Sequence, residues 1–155
     1  MYRILIYSFL FFSLDQLSKW LVVFYLQLNT KVRIDLNNQF LNFHMAWNKG
    51  INFGLFESES ASQVYVLFLS SLLISGVLLF WVRNTENFEI QLSSSLVIGG
   101  AVGNAIDRIL YGSVADFINL TCCNINNPFS FNLADVFIFL GVIGLIYFRF
   151  DEKVN

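Results

Sequence analysis

Six ionisable residues, Asp15, Lys19, Asp107, Arg108, Asp116 and Asp135, sit in or beside stretches that are otherwise strongly apolar. A charge at the centre of a lipid bilayer costs on the order of 3 kcal/mol, so such residues are functional candidates wherever a chain enters a membrane. Asp15 and Lys19 are four positions apart and share one helical face, where they can pair with each other or reach a neighbouring helix. Asp116 and Asp135 offer a different chemistry. Two carboxylates held within a few ångströms cannot both ionise cheaply, so one keeps its proton and the pair combines a general base with a general acid. Such a dyad activates water against an amide and protonates the leaving nitrogen, with no need of a metal, a serine or a histidine. The chain supplies little else of that kind. Its one histidine, His44, suits a surface position, and the adjacent Cys122 and Cys123 have no partner at metal-ligand spacing and would bridge each other only with strain. No metal and no cofactor is expected.

The elements that must position these residues follow from composition. Of 155 residues, 56% are hydrophobic and only 13% charged, against about 25% charged in a soluble domain. That apolarity excludes disorder, the net charge of −2 disfavours nucleic acid as a partner, and two cysteines cannot make a disulfide framework. The expected fold is an all-α integral membrane protein: a single membrane domain over 1–155, with four transmembrane helices at about 4–28, 63–82, 90–110 and 132–149. Outer loops then cover 29–62 and 111–131. The run from Gln63 to Val82 carries no charge and is long enough for about 30 Å of hydrocarbon. The first stretch is interrupted by polar residues around Asp15 but lacks a small-x-small cleavage site, so it reads as a permanent helix rather than a removable signal. Alternation around Lys31–Phe43 suggests a small extracytoplasmic β-containing region lying on the membrane. The distribution of Lys and Arg, with several basic residues also in the loop at 29–62, favours both termini in the cytoplasm by a small margin. The third span then exits outward and the fourth enters from outside, so Asp116 and Asp135 share one face.

Blander roles compete for the same residues. Asn132-x-x-Asp135 has the form of a helix start, Asp107 can simply pair with Arg83 or Arg108, and Arg108 can anchor at the interface. Ser95, Gly99 and Gly103 form a small-residue stripe that allows close helix approach, and Asn104 and Arg108 continue that face. From the residues alone, three functions stay open: hydrolysis by a carboxylate dyad, a proton- or ion-coupled relay through Asp15, Lys19, Asp107 and Asp135, and a scaffold whose polar groups only lock helices together.

Five motifs in order give the chain a resemblance that runs nearly end to end. Asp15-Gln16-Leu17-Ser18-Lys19-Trp20, Asn48-Lys49-Gly50-Ile51-Asn52-Phe53-Gly54, the segment from Gly99 to Arg108, Val114-Ala115-Asp116-Phe117, and Phe131-Asn132-Leu133-Ala134-Asp135 resemble those of the lipoprotein signal peptidases, bacterial signal peptidase II. One departure is Asn52, where that family usually carries a small residue. The resemblance implies a membrane aspartyl protease with Asp116 and Asp135 as its catalytic pair, Asp116 being preferred to Asp107. It implies that Asn48, Gly50, Asn104, Arg108 and Asn132 line the site and that Asp15 and Lys19 orient neighbouring groups. The implied substrate is a prolipoprotein cut just before a diacylglyceryl-modified cysteine, at the outer face of the bacterial inner membrane. The outer loop would close as a lid, with Trp47, Phe53 and Phe56 in the headgroup layer. Membrane lipids and that substrate are the expected partners, and the protein is expected to be a monomer.

Overall fold

A computed structural model of the chain describes residues 1–36, 40–50, 61–121 and 127–154. The roles expected of Asn52, Phe53, Phe56, Cys122 and Cys123, and the side chains of Arg149 and Lys153, lie outside the described residues. Helix α1 (Tyr2–Lys19) passes directly into a π-helical stretch at Trp20–Tyr25, followed by a short α2 (Leu28–Lys31). Strands β1 (Arg33–Asp35) and β2 (Leu41–Asn48) come next, then α3 (Ala61–Val82), α4 (Phe88–Tyr111), β3 (Val114–Leu120) and α5 (Leu133–Val154). The four long helical segments fall on the four stretches expected from the sequence. Among the described residues, one helix is long and apolar enough to cross a membrane by itself: Ser62–Val82, with a mean hydropathy of 2.2. A shorter apolar helix is Leu133–Phe148.

Helix α4 is the axis of the bundle, packed by α1, α3 and α5. Asn87 caps its start by accepting from the Ile90 amide, and Gly112, at φ 71°, ends it in the left-handed conformation that a residue without Cβ adopts freely. Its buried face is small and polar, not bulky. Ser95 Oγ donates to the Ile4 carbonyl, a Cβ on Gly99 would lie 2.7 Å from the Ser8 carbonyl oxygen, and one on Gly103 would lie 2.5 Å from Asp15 Oδ2. The stripe read from the sequence therefore packs against α1, and the matching order of contacts makes α1 and α4 run parallel. On another side, Gly100 meets Ala134 and Gly141 meets Ser93, so α5 runs antiparallel to α4. Large apolar side chains are left on the outside, among them Leu5, Phe9, Val66, Leu69, Leu73, Phe80, Phe139 and Ile143. Apolar surface on this scale belongs against lipid.

The chain directions gather the C-terminal ends of α1 and α4 and the N-terminal end of α5 at one end of the bundle. There the antiparallel sheet sits, in the order β1-β2-β3. Beneath it Val22, Val23, Leu28, Ala115 and Phe117 form a small core. The sequence marked strand character only around Lys31–Phe43, and the sheet extends beyond it. The stretch 111–131, expected as a loop, holds β3, which pairs along β2 from Leu41↔Leu120 to Asn48↔Val114. Its residues Val114, Ala115, Asp116 and Phe117 are all buried, so no polar–apolar alternation marks the strand in the sequence. A bulge in β2 between Phe43 and Ala46 precedes the pair Ala46↔Asp116, a place where bulges re-aim side chains.

Close helix approach through glycine is testable. Gly99→Ala must push α1 away and should destabilise the protein by about 1–3 kcal/mol, read as a lowered unfolding temperature in detergent. Gly76→Ala, which meets no atom within 4 Å, should leave that temperature unchanged or slightly raised.

Candidate functional site

Asn132 stands immediately before α5 and does two things. Its Oδ1 accepts from the Asp135 amide at 3.0 Å while Asp135 Oδ2 accepts from the Asn132 amide at 3.2 Å, a reciprocal cap of the helix start. Its Nδ2, still free to donate, reaches Asp116 Oδ1 at 2.6 Å and Asn104 Oδ1 at 3.1 Å. Asn104 in turn donates to Asp135 Oδ1 at 2.9 Å. The two acids are thus joined through Asn132 and Asn104, one arriving on a strand and the other on the first turn of a helix. The bridge Ile118↔Phe131 brings the chain back beside β3 just before Asn132 and so fixes the approach.

Asn48 and Gly50, from the second of the five motifs, lie beside the same carboxylate. Asn48 Nδ2 donates to Asp116 Oδ2 at 3.0 Å, its Oδ1 accepts from the Gly50 amide, and the Gly50 carbonyl accepts from Arg108 Nη2 at 3.0 Å. Arg108 Nη1 bonds the Asn104 carbonyl, and its buried Nε has no hydrogen-bond partner among the described residues. Trp47 is partly exposed and packs against Tyr111, which meets Phe24, an aromatic group at the sheet end of the bundle.

Asp15, Lys19 and Asp107 form a second, buried cluster. Lys19 Nζ lies 2.8 Å from Asp15 Oδ2 and 2.8 Å from Asp107 Oδ2, and it also donates to Asn104 Oδ1. The expected pairing of Asp107 with Arg108 or Arg83 is therefore corrected: its partner is Lys19. Consecutive residues on a helix point in different directions, so Asp107 and Arg108 diverge, and Arg83 instead stacks 3.8 Å over the Phe80 ring. Gln16, which the sequence did not single out, donates to both Asp15 and Asp107. Its signal was only its place between Asp15 and Lys19. Every expected site residue falls into one of these two connected clusters; His44 stays apart on β2, its carbonyl accepting from Ser130.

Burial is the first cause that raises Asp116 above the ordinary carboxylate range, to about 7, and the neighbouring Asp135 adds to it, against the opposing hydrogen bonds from Asn48 and Asn132 and the charge of Lys19. A proton at Asp116 near neutrality is what an acid–base dyad requires. From Asp135 a cleft of about 500 Å³ runs between α3, α4 and α5. Asn104, Arg108 and Asp135 lie at its polar end and Leu67, Ile74, Val97 and Val142 along its apolar walls.

A helical bundle with a small sheet at one end and a carboxylate pair beneath it belongs to the membrane enzymes in architecture: it is similar to a solved bacterial membrane enzyme structure with a TM-score of 0.77 and 25% identity, over 97% of this chain and 88% of that one. Sequence narrows the class. Residues 7–150 match the signal peptidase (SPase) II family, and the chain belongs to that family. A lipoprotein signal peptidase of Coxiella burnetii (strain RSA 331 / Henzerling II) is 38% identical over 142 residues, 90% of this chain and 85% of that protein. One of Methylorubrum extorquens (strain PA1) is 39% identical over 110 residues, 69% of this chain, and the match spans 62% of that relative's length, under two thirds.

The electrostatic link between the acids gives a direct measurement. The Asp116 carboxyl, followed by its carbon-13 shift, should titrate near 7 in the native protein and lower in Asp135→Asn, because a like charge is removed. An Asp116 titration indifferent to that change would separate the two groups.

Proposed function

We propose that the protein is a membrane-embedded aspartyl endopeptidase that removes the signal peptide from diacylglyceryl-modified prolipoproteins, cutting just before the lipidated cysteine. The observation that carries this reading is the linkage of Asp116 through Asn132 to Asp135, which lines the polar end of an apolar cleft. Membership of the signal peptidase II family supports it. The relay reading expects carboxylates at several depths, whereas Asp15, Asp107, Asp116 and Asp135 gather at one end of the bundle.

In this reading Asp135 is the carboxylate that takes a proton from water, and the water oxygen attacks the scissile carbonyl. Asp116 holds the shared proton against the carbonyl oxygen as charge develops there. The tetrahedral adduct then collapses: the carbon–nitrogen bond breaks, the proton passes to the leaving nitrogen, and a signal-peptide carboxylate and an amino-terminal lipidated cysteine result. Asn48 and Asn132 hold Asp116 in place, Asn104 holds Asp135, and the unfilled Nε of Arg108 is a donor for a substrate carbonyl or ester. From Val97 to Asn104 the cleft extends about 10 Å along α4 at 1.5 Å per residue, enough to seat two turns of an apolar signal helix. Four spans, cytoplasmic termini and a site at the outer face put the dyad where water and lipid meet, so the acyl chains stay in hydrocarbon during cleavage. A single copy carries both acids.

Purified protein in detergent should cleave a lipid-modified prolipoprotein and leave the unmodified form intact. Asp116→Asn and Asp135→Asn should each lower turnover at least about a thousandfold while the protein still inserts, in line with loss of a paired acid or base. Substantial turnover by either variant would end the dyad mechanism. The rate should fall as pH rises through about 7, where Asp116 gives up the shared proton; a rate still climbing at pH 9 would contradict it.

A further inference from the structure

Each acid follows a residue whose backbone amide is gripped by a buried carboxylate. Ala115 donates to Asp107 Oδ2 at 3.2 Å, one residue before Asp116. Ala134 donates to Asp15 Oδ1 at 3.0 Å, one residue before Asp135. The two carboxylates are bound to a single ammonium, since Lys19 Nζ is 2.8 Å from each, and Gln16 Nε2 bridges them a second time. One compact cluster therefore holds the strand that carries one acid and the helix that carries the other.

None of Asp15, Lys19 and Asp107 lines the cleft, and all three are buried. Their hydrogen bonds are charge-assisted and shielded from water, so they hold geometry more firmly than neutral bonds at a surface would. The Ala134 amide lies in the first turn of α5, where the helix itself offers no acceptor. Each held amide fixes the peptide plane that ends at the Cα of the alanine, one residue before the acid. Only a few backbone and side-chain torsions then separate each grip from its carboxyl, and Asn132 and Asn104 settle those.

Resting on the hydrolytic reading above, we propose that Asp107 and Asp15 are paired positioning residues, each clamping the backbone before one acid, with Lys19 locking the two clamps at a fixed spacing. They touch no substrate. Loosening either clamp should misplace one carboxyl and slow the chemical step, while the cleft that binds the signal helix is left as it was.

The test uses the full chain labelled with nitrogen-15 alanine, assayed on lipid-modified prolipoprotein. Asp107→Asn should lower kcat about 10- to 100-fold, the scale of a sub-ångström to 1 Å misplacement, with KM within about twofold. The Ala115 amide proton should move upfield while that of Ala134 holds its position, and Asp15→Asn should give the reverse pattern. An unmoved Ala115 resonance, or a raised KM with kcat unchanged, would overturn the proposal. If Asp107→Asn fails to insert, lactic acid placed at position 115 by nonsense suppression removes only the N–H and leaves the ion cluster intact. The same loss of kcat is then expected, and full kcat from that ester variant refutes the clamp. Failure of the hydrolytic reading would look different: Asp116→Asn would keep cleaving, whatever the alanine resonances do.

Discussion

The ammonium of Lys19, enclosed between the carboxylates of Asp15 and Asp107, is the contact on which the rest of the site depends. Removing Lys19 would leave two buried carboxylates facing each other without a counter-charge, a loss that typically costs about 3–5 kcal/mol. Around that centre α1, α4, β3 and α5 are tied by hydrogen bonds that reach from Gln16 to Ala115 and Ala134. A bundle of apolar helices slides easily, because lipid and leucine are equally comfortable neighbours. A charge cluster at one end of it allows a single register.

The glycines of α4 make that cluster possible. Only without a Cβ at Gly103 can Asp15 approach the helix that carries Asp107, and only with Gly100 can the start of α5 lie close enough for Asn132 to reach Asp116. Packing and electrostatics are one arrangement here. The small residues set the distance between backbones, and the distance sets which polar atoms meet.

Much of this was legible in the sequence. The apolar stretches marked the long helices, α3 most cleanly by its lack of charge, the small-residue stripe marked the α4 face that meets α1, and the order of the helices placed Asp116 and Asp135 at the same end. What was hidden had physical reasons. Strand β3 is buried on both sides and shows no alternation. The partner of Asp107 is 88 positions away at Lys19, whereas its sequence neighbour Arg108 projects from a different face of the helix and is taken up by Gly50 and Asn104. Gln16 carries no charge and no motif of its own, and only the fold reveals that it spans two carboxylates. The double duty of Asn132 was half visible: its capping role follows from the Asn-x-x-Asp spacing, but the amide left over for Asp116 does not.

Asp15 and Lys19 are one turn apart on the same helix, at 2.8 Å. This has a bearing on how the protein is made. As α1 is synthesised, its lysine and its aspartate already have each other as partners on one helical face, before any other helix of the bundle exists. Asp107 is synthesised almost ninety residues later, and its arrival turns a self-sufficient pair into a three-membered knot. The order of synthesis thus matches the order of charge compensation: the first helix is balanced within itself, and the cluster closes only when the central helix brings the last carboxylate.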